Sequence, residues 1–251
     1  MNFEIKNLPS RTGKPRQSGL TMVMDKGLSI RETENFLSVA EPYTDLVKLG
    51  FGTSYVLPKL QDKLAVYANA KVPVYFGGTL FEAFIIRGQF EDYLRILEKY
   101  KLEYCEVSDG SLQMEHDKKC DYIQKLSKHV TVLSEVGSKD AEKIIPPYKW
   151  ILLMNKEIEA GSWKVIAEAR ETGNVGIYRG TGEVRSGLIE EILTQIPQET
   201  IIFEAPQKEQ QIWFIKLLGA NVNLGNLAPA EVLSLETTRL GLRADTFDHF
   251  L

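Results

Sequence analysis

Acidic side chains recur where this chain's apolar runs end. The stretch VLSEVGSKD (132–140) begins like a buried strand, with Val132, Leu133 and Val136, yet it carries Glu135 inside and Lys139 just beyond Gly137. Comparable places hold Glu106, Ser108 and Asp109 in YCEVSDG (104–110), Glu168 and Arg170 in KVIAEAR (164–170), and Glu204 in IIFEAP (201–206). Lys48 lies in LVKLGF (46–51), Asp25 closes LTMVMD (20–25), and VYFGGT (74–79) ends in Gly77 and Thr79 with Glu82 beyond. An isolated buried carboxylate is too costly to keep charged, so such acids need cations, a metal or one another. Oxygen donors suit hard cations, and magnesium takes one or two carboxylates together with substrate oxygens. The expected metal-facing set is Glu106, Asp109, Glu135, Glu168 and Glu204, and the interleaved Lys48, Lys139 and Arg170 point to an anionic substrate beside Mg²⁺. His116, His129 and His249 lack ligand spacing, so zinc is not indicated. GFGTS (50–54) and NLGN (223–226) read as glycine-containing turns leading into helices, where backbone N–H groups can receive an anion. They bring Asn223, Gly225 and Asn226 in as substrate-binding candidates beside Lys48, Arg170 and Ser108, with Lys14, Arg16 and Arg239 as looser ones.

These residues need a scaffold that gathers strand ends. Eight short apolar runs alternate with stretches of helical spacing: Leu57, Leu60, Leu64 and Tyr67 share a face, as do Phe90, Tyr93 and Leu97, and later Ile212 and Ile215 before Gly219. WILLMNK (150–156) has a strand's composition, but Pro146-Pro147 before it and Gly161 after it predict a helix. KVIAEAR is then the sixth of eight strands, alternating with eight helices. Strands alternating with helices imply a parallel sheet, and eight such units in about 250 residues imply a single (β/α)8 TIM barrel, whose active site sits at the carboxyl ends of the strands. A doubly wound sheet would usually carry an early glycine-rich dinucleotide turn, and none is present. Side chains alternate along a strand. The parity pointing inward near each exit selects Asp25, Lys48, Glu106 and Ser108, Glu135, Glu168 and Arg170, Glu204, and Asn223.

Bulk composition narrows the function classes. Of 251 residues, 43% are hydrophobic and 25% charged, the balance of a globular domain, and residues 1–18 read as an N-terminal extension. A net charge of -4 gives no basic excess for nucleic acid or a membrane surface. The N-terminus has no apolar core like that of a signal peptide, and no run approaches a membrane span. Two cysteines, Cys105 and Cys120, are too few for a disulfide framework and suit a reducing cytoplasm.

Long motifs stand in order along the chain. They include PRQSGLTMVMDKGL (15–28), DLVKLGFGTS (45–54), FGGTLFE (76–82), EVSDGS (106–111), LSEVGSKD (133–140), EAGSWKVIAEARETG (159–173), IIFEAPQKEQQ (201–211), VNLGNL (222–227) and LETTRLGLRADTF (235–247). The set resembles the (2R)-phospho-3-sulfolactate synthase family from about residue 14 onward, departing mildly at Ser162, Thr172 and Ala244. The resemblance implies a Mg²⁺-dependent (β/α)8 enzyme joining sulfite to phosphoenolpyruvate, a step toward coenzyme M in methanogens and toward sulfolactate in bacteria. It suggests a homo-oligomer, with a trimer as one candidate. On that reading Glu135 faces the metal or its water shell, Gly137 lets the chain turn, and Lys139 is the general acid. Two alternatives stand beside it: a Schiff-base aldolase using Lys139 or Lys48, and a non-catalytic, stress-associated relative.

Overall fold

The computed structural model describes residues 2–138 and 144–251, and Lys139 lies outside them. In chain order the elements are β1 (Thr21–Asp25), α1 (Ile30–Ala40), β2 (Leu46–Leu49), α2 (Thr53–Val56), α3 (Leu60–Asn69), β3 (Val74–Phe76), α4 (Gly78–Ile85), α5 (Phe90–Lys99) and β4 (Tyr104–Val107). They continue with α6 (His116–Leu126), β5 (Thr131–Val136), α7 (Pro147–Glu159), β6 (Ser162–Ala167), α8 (Ser186–Leu193), β7 (Ile201–Glu204), α9 (Lys208–Leu218), β8 (Leu224–Leu227) and α10 (Val232–Arg239). All eight strands are parallel, and they run β3-β2-β1-β8-β7-β6-β5-β4 around one sheet. β3 and β4 meet at the seam without a ladder between them among the described residues, so the (β/α)8 barrel is nearly closed.

Two apolar layers hold it. Inside, Met22, Leu46, Tyr75, Leu133, Ile166 and Ile202 fill the barrel's middle level. Outside, alternate strand residues such as Val23, Val47, Val107, Val165 and Phe203 pack under the helices. Both faces being covered explains why the strands read as nearly continuous apolar runs. Local chemistry sets the helix ends. Ser29 and Glu32 form a capping box at the start of α1, and Gly219 ends α9 with φ +87. The WILLMNK stretch is helical, within α7 after Pro146-Pro147, as its flanks predict.

The structure departs from the sequence reading in three places. Ten α-helices are present among the described residues rather than eight, because the short α2 and α4 occupy the connections after β2 and β3. β6 ends at Ala167, so Glu168 and Arg170 lie in the turn beyond it. β8 begins only at Leu224, which makes NLGN mostly strand rather than a turn into a helix. No helix is long and apolar enough to cross a membrane among the described residues.

Candidate active site

One level above the apolar layer, the inward positions change character. Lys48 from β2, Glu106 from β4, Glu135 from β5, Glu168 just past β6 and Glu204 from β7 converge on a cavity of about 300 Å³ at the carboxyl ends of the strands. Met24, Gly50, Phe51, Gly77, Gly78, Thr79, Ser111, Arg170, Glu171 and Asn226 complete its described lining. Alternation explains the change of level, since the apolar layer at Leu133, Ile166 and Ile202 gives way two residues later to Glu135, Glu168 and Glu204.

The side chains are held from several directions. Lys48 Nζ lies 3.2 Å from Glu106 Oε2 and 3.1 Å from Glu204 Oε1. The second Glu204 oxygen accepts from the backbone N–H of Ala169 at 2.9 Å, and Glu168 Oε1 accepts from that of Arg170 at 2.6 Å. Glu106 Oε1 accepts from the Gly78 N–H at 2.6 Å, across the β3–β4 seam. Gly137 has φ +143, and a Cβ there would collide with the Glu168 side chain, so only glycine lets β5 leave the barrel beside that acid. One oxygen from each of Glu135, Glu168 and Glu204 falls within a sphere where all lie within 4.8 Å of one another, and all three residues are buried.

The electrostatics follow from this crowding. Burial alone would lower the Lys48 amine, but Glu106 and Glu204 beside it hold its pKa well above the ordinary range. Burial raises the Glu204 carboxyl, countered in part by Lys48. Five carboxylates, those of Glu106, Glu135, Glu168, Glu171 and Glu204, face two cations, Lys48 and Arg170, among the described lining residues. Such a pocket favours cation or proton uptake, and an anion enters only once that excess is offset. An all-oxygen set of three clustered carboxylates is chemically suited to a hard divalent cation.

Of the sequence-derived candidates, Lys48, Glu106, Glu135, Glu168, Arg170, Glu204 and Asn226 come together at this cavity. Others lie elsewhere. Asp109 turns toward α6, where Lys119 Nζ is 2.8 Å away. The Ser108 hydroxyl donates to Glu82, whose other oxygen accepts from the Ser111 N–H at 2.7 Å, a brace for the β4 exit. Asn223 sits below β8, accepting from the Leu20 N–H at 3.0 Å and donating to Glu199 and Ile201 carbonyls. Gly225 is inside the barrel against Met22 and Ile202, where a side chain would not fit. Asp25 has the outward parity and is held by Tyr67 and Lys63. Arg239, fully buried, donates to the Leu20, Ala220 and Val222 carbonyls, while Arg16 pairs with Asp45 and Lys14 with Glu41, all away from the cavity.

The sequence reading passed over Lys119 and Glu157, although a signal for them existed. Lys119, Ile123 and Leu126 share one helical face, as do Trp150, Met154 and Glu157, so each charge sits on the buried side of its helix. Their carboxylate and ammonium lie 2.8 Å apart.

The sequence profile of the (2R)-phospho-3-sulfolactate synthase (ComA) family matches residues 9–245. A phosphosulfolactate synthase of Bacillus subtilis (strain 168) is 39% identical over 250 residues, covering 98% of this chain and 99% of the relative. Another, from Methanocaldococcus jannaschii, is 40% identical over 237 residues, covering 92% of this chain and 94% of the relative. Among solved structures, the 3-hexulose-6-phosphate synthase of Salmonella typhimurium aligns with a TM-score of 0.59 at 12% identity, covering 89% of this chain and all of that one, a likeness of fold.

Proposed function

Because the chain belongs to the (2R)-phospho-3-sulfolactate synthase family, we propose that it adds sulfite to phosphoenolpyruvate with the help of Mg²⁺, giving (2R)-O-phospho-3-sulfolactate. The observation that carries this reading is the convergence of Glu135, Glu168 and Glu204 within 4.8 Å at a mouth that also holds Lys48 and Arg170. Those three carboxylates would hold the cation. When bound, it would supply Lewis-acid stabilisation of charge developing on substrate oxygens, worth several kcal/mol.

The reaction forms a carbon–sulfur bond at the methylene carbon of phosphoenolpyruvate, as the sulfite sulfur donates its electron pair. The alkene electrons move toward the substrate carboxylate, and the neighbouring carbon then takes up a proton. Two anions must be brought together first. Arg170 at the rim is suited to a carboxylate or phosphate because its guanidinium can donate two parallel bonds. Asn226, whose backbone is turned by φ +58, lines the same space. Lys48, kept protonated by its two carboxylates, supplies fixed positive charge rather than a proton. The proton is assigned to Lys139 on the strength of the family resemblance.

The same charge state argues against a Schiff base at Lys48, since an amine nucleophile must first lose its proton. The decisive experiment incubates the purified protein with phosphoenolpyruvate, sulfite and Mg²⁺ and looks for the sulfonated product by mass spectrometry. Formation that stops in excess EDTA and returns with Mg²⁺ supports the reading. Absence of product overturns it, and full turnover in excess EDTA removes the metal from it.

A further inference from the structure

The C-terminal end of β5 carries Glu135, yet it has lost a neighbour there. The β4–β5 ladder ends at the Val107–Ser134 pair. On the other side, Val136 O accepts from the Glu168 N–H at 3.0 Å, so the Glu135 carbonyl, one residue earlier, points toward β4, whose ladder with β5 among the described residues has already ended. A side chain fills that place. Lys119 Nζ, from α6, reaches the Glu135 carbonyl at 2.5 Å.

The ammonium that makes this bond is fixed on two further sides. Asp109, at the β4 exit, and Glu157, on α7, each place a carboxylate oxygen 2.8 Å from Lys119 Nζ. Lys119 and Glu157 are 1% and 0% exposed, so this is a buried junction of β4, β5, α6 and α7 and not a solvated ion pair. It lies outside the cavity proposed for the substrates, and none of Lys119, Asp109 and Glu157 lines that cavity.

We propose that Lys119 is a positioning residue for Glu135. By standing in for the missing strand it fixes the plane of the peptide that follows Glu135, and hence where the Glu135 carboxylate lies relative to Glu168 and Glu204. The inference rests on the proposed function only for its kinetic consequence; the geometric claim stands apart from it. A carboxylate displaced by about 1 Å from a productive arrangement can cost up to about 100-fold in rate.

The test compares Glu157→Gln with the double variant Lys119→Met, Glu157→Gln. Glu157→Gln removes the carboxylate while Lys119 keeps Asp109 and the Glu135 carbonyl. The double variant removes the donor without leaving a buried acid at 157, and Asp109 is 24% exposed and can take water instead. Crystal structures of both give the direct answer. Glu135 is expected to stay with Glu168 and Glu204 in Glu157→Gln and to leave them in the double variant. In turnover, kcat of the double variant should fall about 10- to 100-fold below Glu157→Gln while KM for phosphoenolpyruvate changes less than about twofold. Lys119→Gln with Glu157→Gln, which restores a shorter amide donor, should recover part of that loss, and it carries the same structural comparison if the methionine variant does not fold. A folded double variant with Glu135 unmoved and kcat equal to that of Glu157→Gln overturns the proposal. If the wild-type protein forms no sulfonated product, the functional reading fails, and the position of Glu135 in the crystal structures still decides this one.

Discussion

The Lys48 ammonium and the Glu204 carboxylate lie 3.1 Å apart at the barrel mouth, with neither side chain more than 5% exposed. Glu106 flanks the same ammonium at 3.2 Å. A lysine so placed is a fixed charge, and its chemistry is that of a counter-ion. Removing it strands two buried acids. Lys48→Met should therefore lower stability by roughly 3–5 kcal/mol, the usual cost of breaking a buried pair from one side. Borohydride treatment of the wild type with a keto acid should give no adduct at Lys48. Thermal melts and peptide mass mapping check both statements, and a trapped Lys48 would restore the aldolase reading.

Arg170→Lys is expected to raise KM for phosphoenolpyruvate by about 10-fold or more while the fold is kept. Arginine can grip a carboxylate or phosphate with two parallel bonds, whereas lysine offers a point charge. Backbone strain does not confuse the comparison, because φ +55 at this position bears equally on both side chains. An unchanged KM would reassign Arg170 to holding the turn after β6.

Burial pushes the Glu157 carboxyl up to about 7, against the pull of Lys119. Between the ordinary carboxylate range and that value, the folded protein holds a proton that the unfolded chain has released. Stability therefore declines as pH rises through this window, by an amount of order 2–3 kcal/mol, and is level again above it. Glutamine cannot titrate. The melting temperature of Glu157→Gln minus that of the wild type should thus become more positive by roughly 4–12 °C between pH 5 and pH 8. Parallel pH profiles would show that Glu157 ionises normally.

Lys139→Met tests the proton donor that the family resemblance implies. Product formation should drop by about 10²- to 10⁴-fold with phosphoenolpyruvate still bound, as expected on losing a general acid. Near-normal turnover would remove Lys139 from the chemistry. Lys48 would then be a poor substitute, given how firmly Glu106 and Glu204 keep it protonated.

The barrel was legible because its signal is repeated and redundant. Each apolar run announces a strand independently, so an error of a few residues at KVIAEAR or around NLGN leaves the count intact. Side-chain direction is less forgiving. In a period-two element a misjudged end reverses the answer, which is why sequence parity points Asp25 inward although Met24 holds that position. The same parity places Asn223 at the mouth, although β8 begins only one residue later. Glu135 and Glu204 were legible because both lie inside strands with apolar neighbours fixing their parity. Asp109 and Ser108 were not, since the loop after β4 obeys hydrogen bonds to Lys119 and Glu82 from distant helices. Lys119 itself was hidden by its charge, although its spacing with Ile123 and Leu126 marks a buried face.

The seam between β3 and β4 bears on how kinetic data at Glu106 should be interpreted. Where two strands share no backbone ladder, the Glu106 carboxylate receives the Gly78 N–H across the gap, and Glu82 on α4 reaches Ser108 and Ser111 beyond it. Glu106 thus acts as a fastener of the scaffold as well as a neighbour of Lys48. Rate loss in a Glu106 variant would mix altered charge at the mouth with a loosened wall. Glu204 ends a strand laddered on both sides and Glu168 lies just past another, so their substitution leaves the pairing of those strands to their backbones.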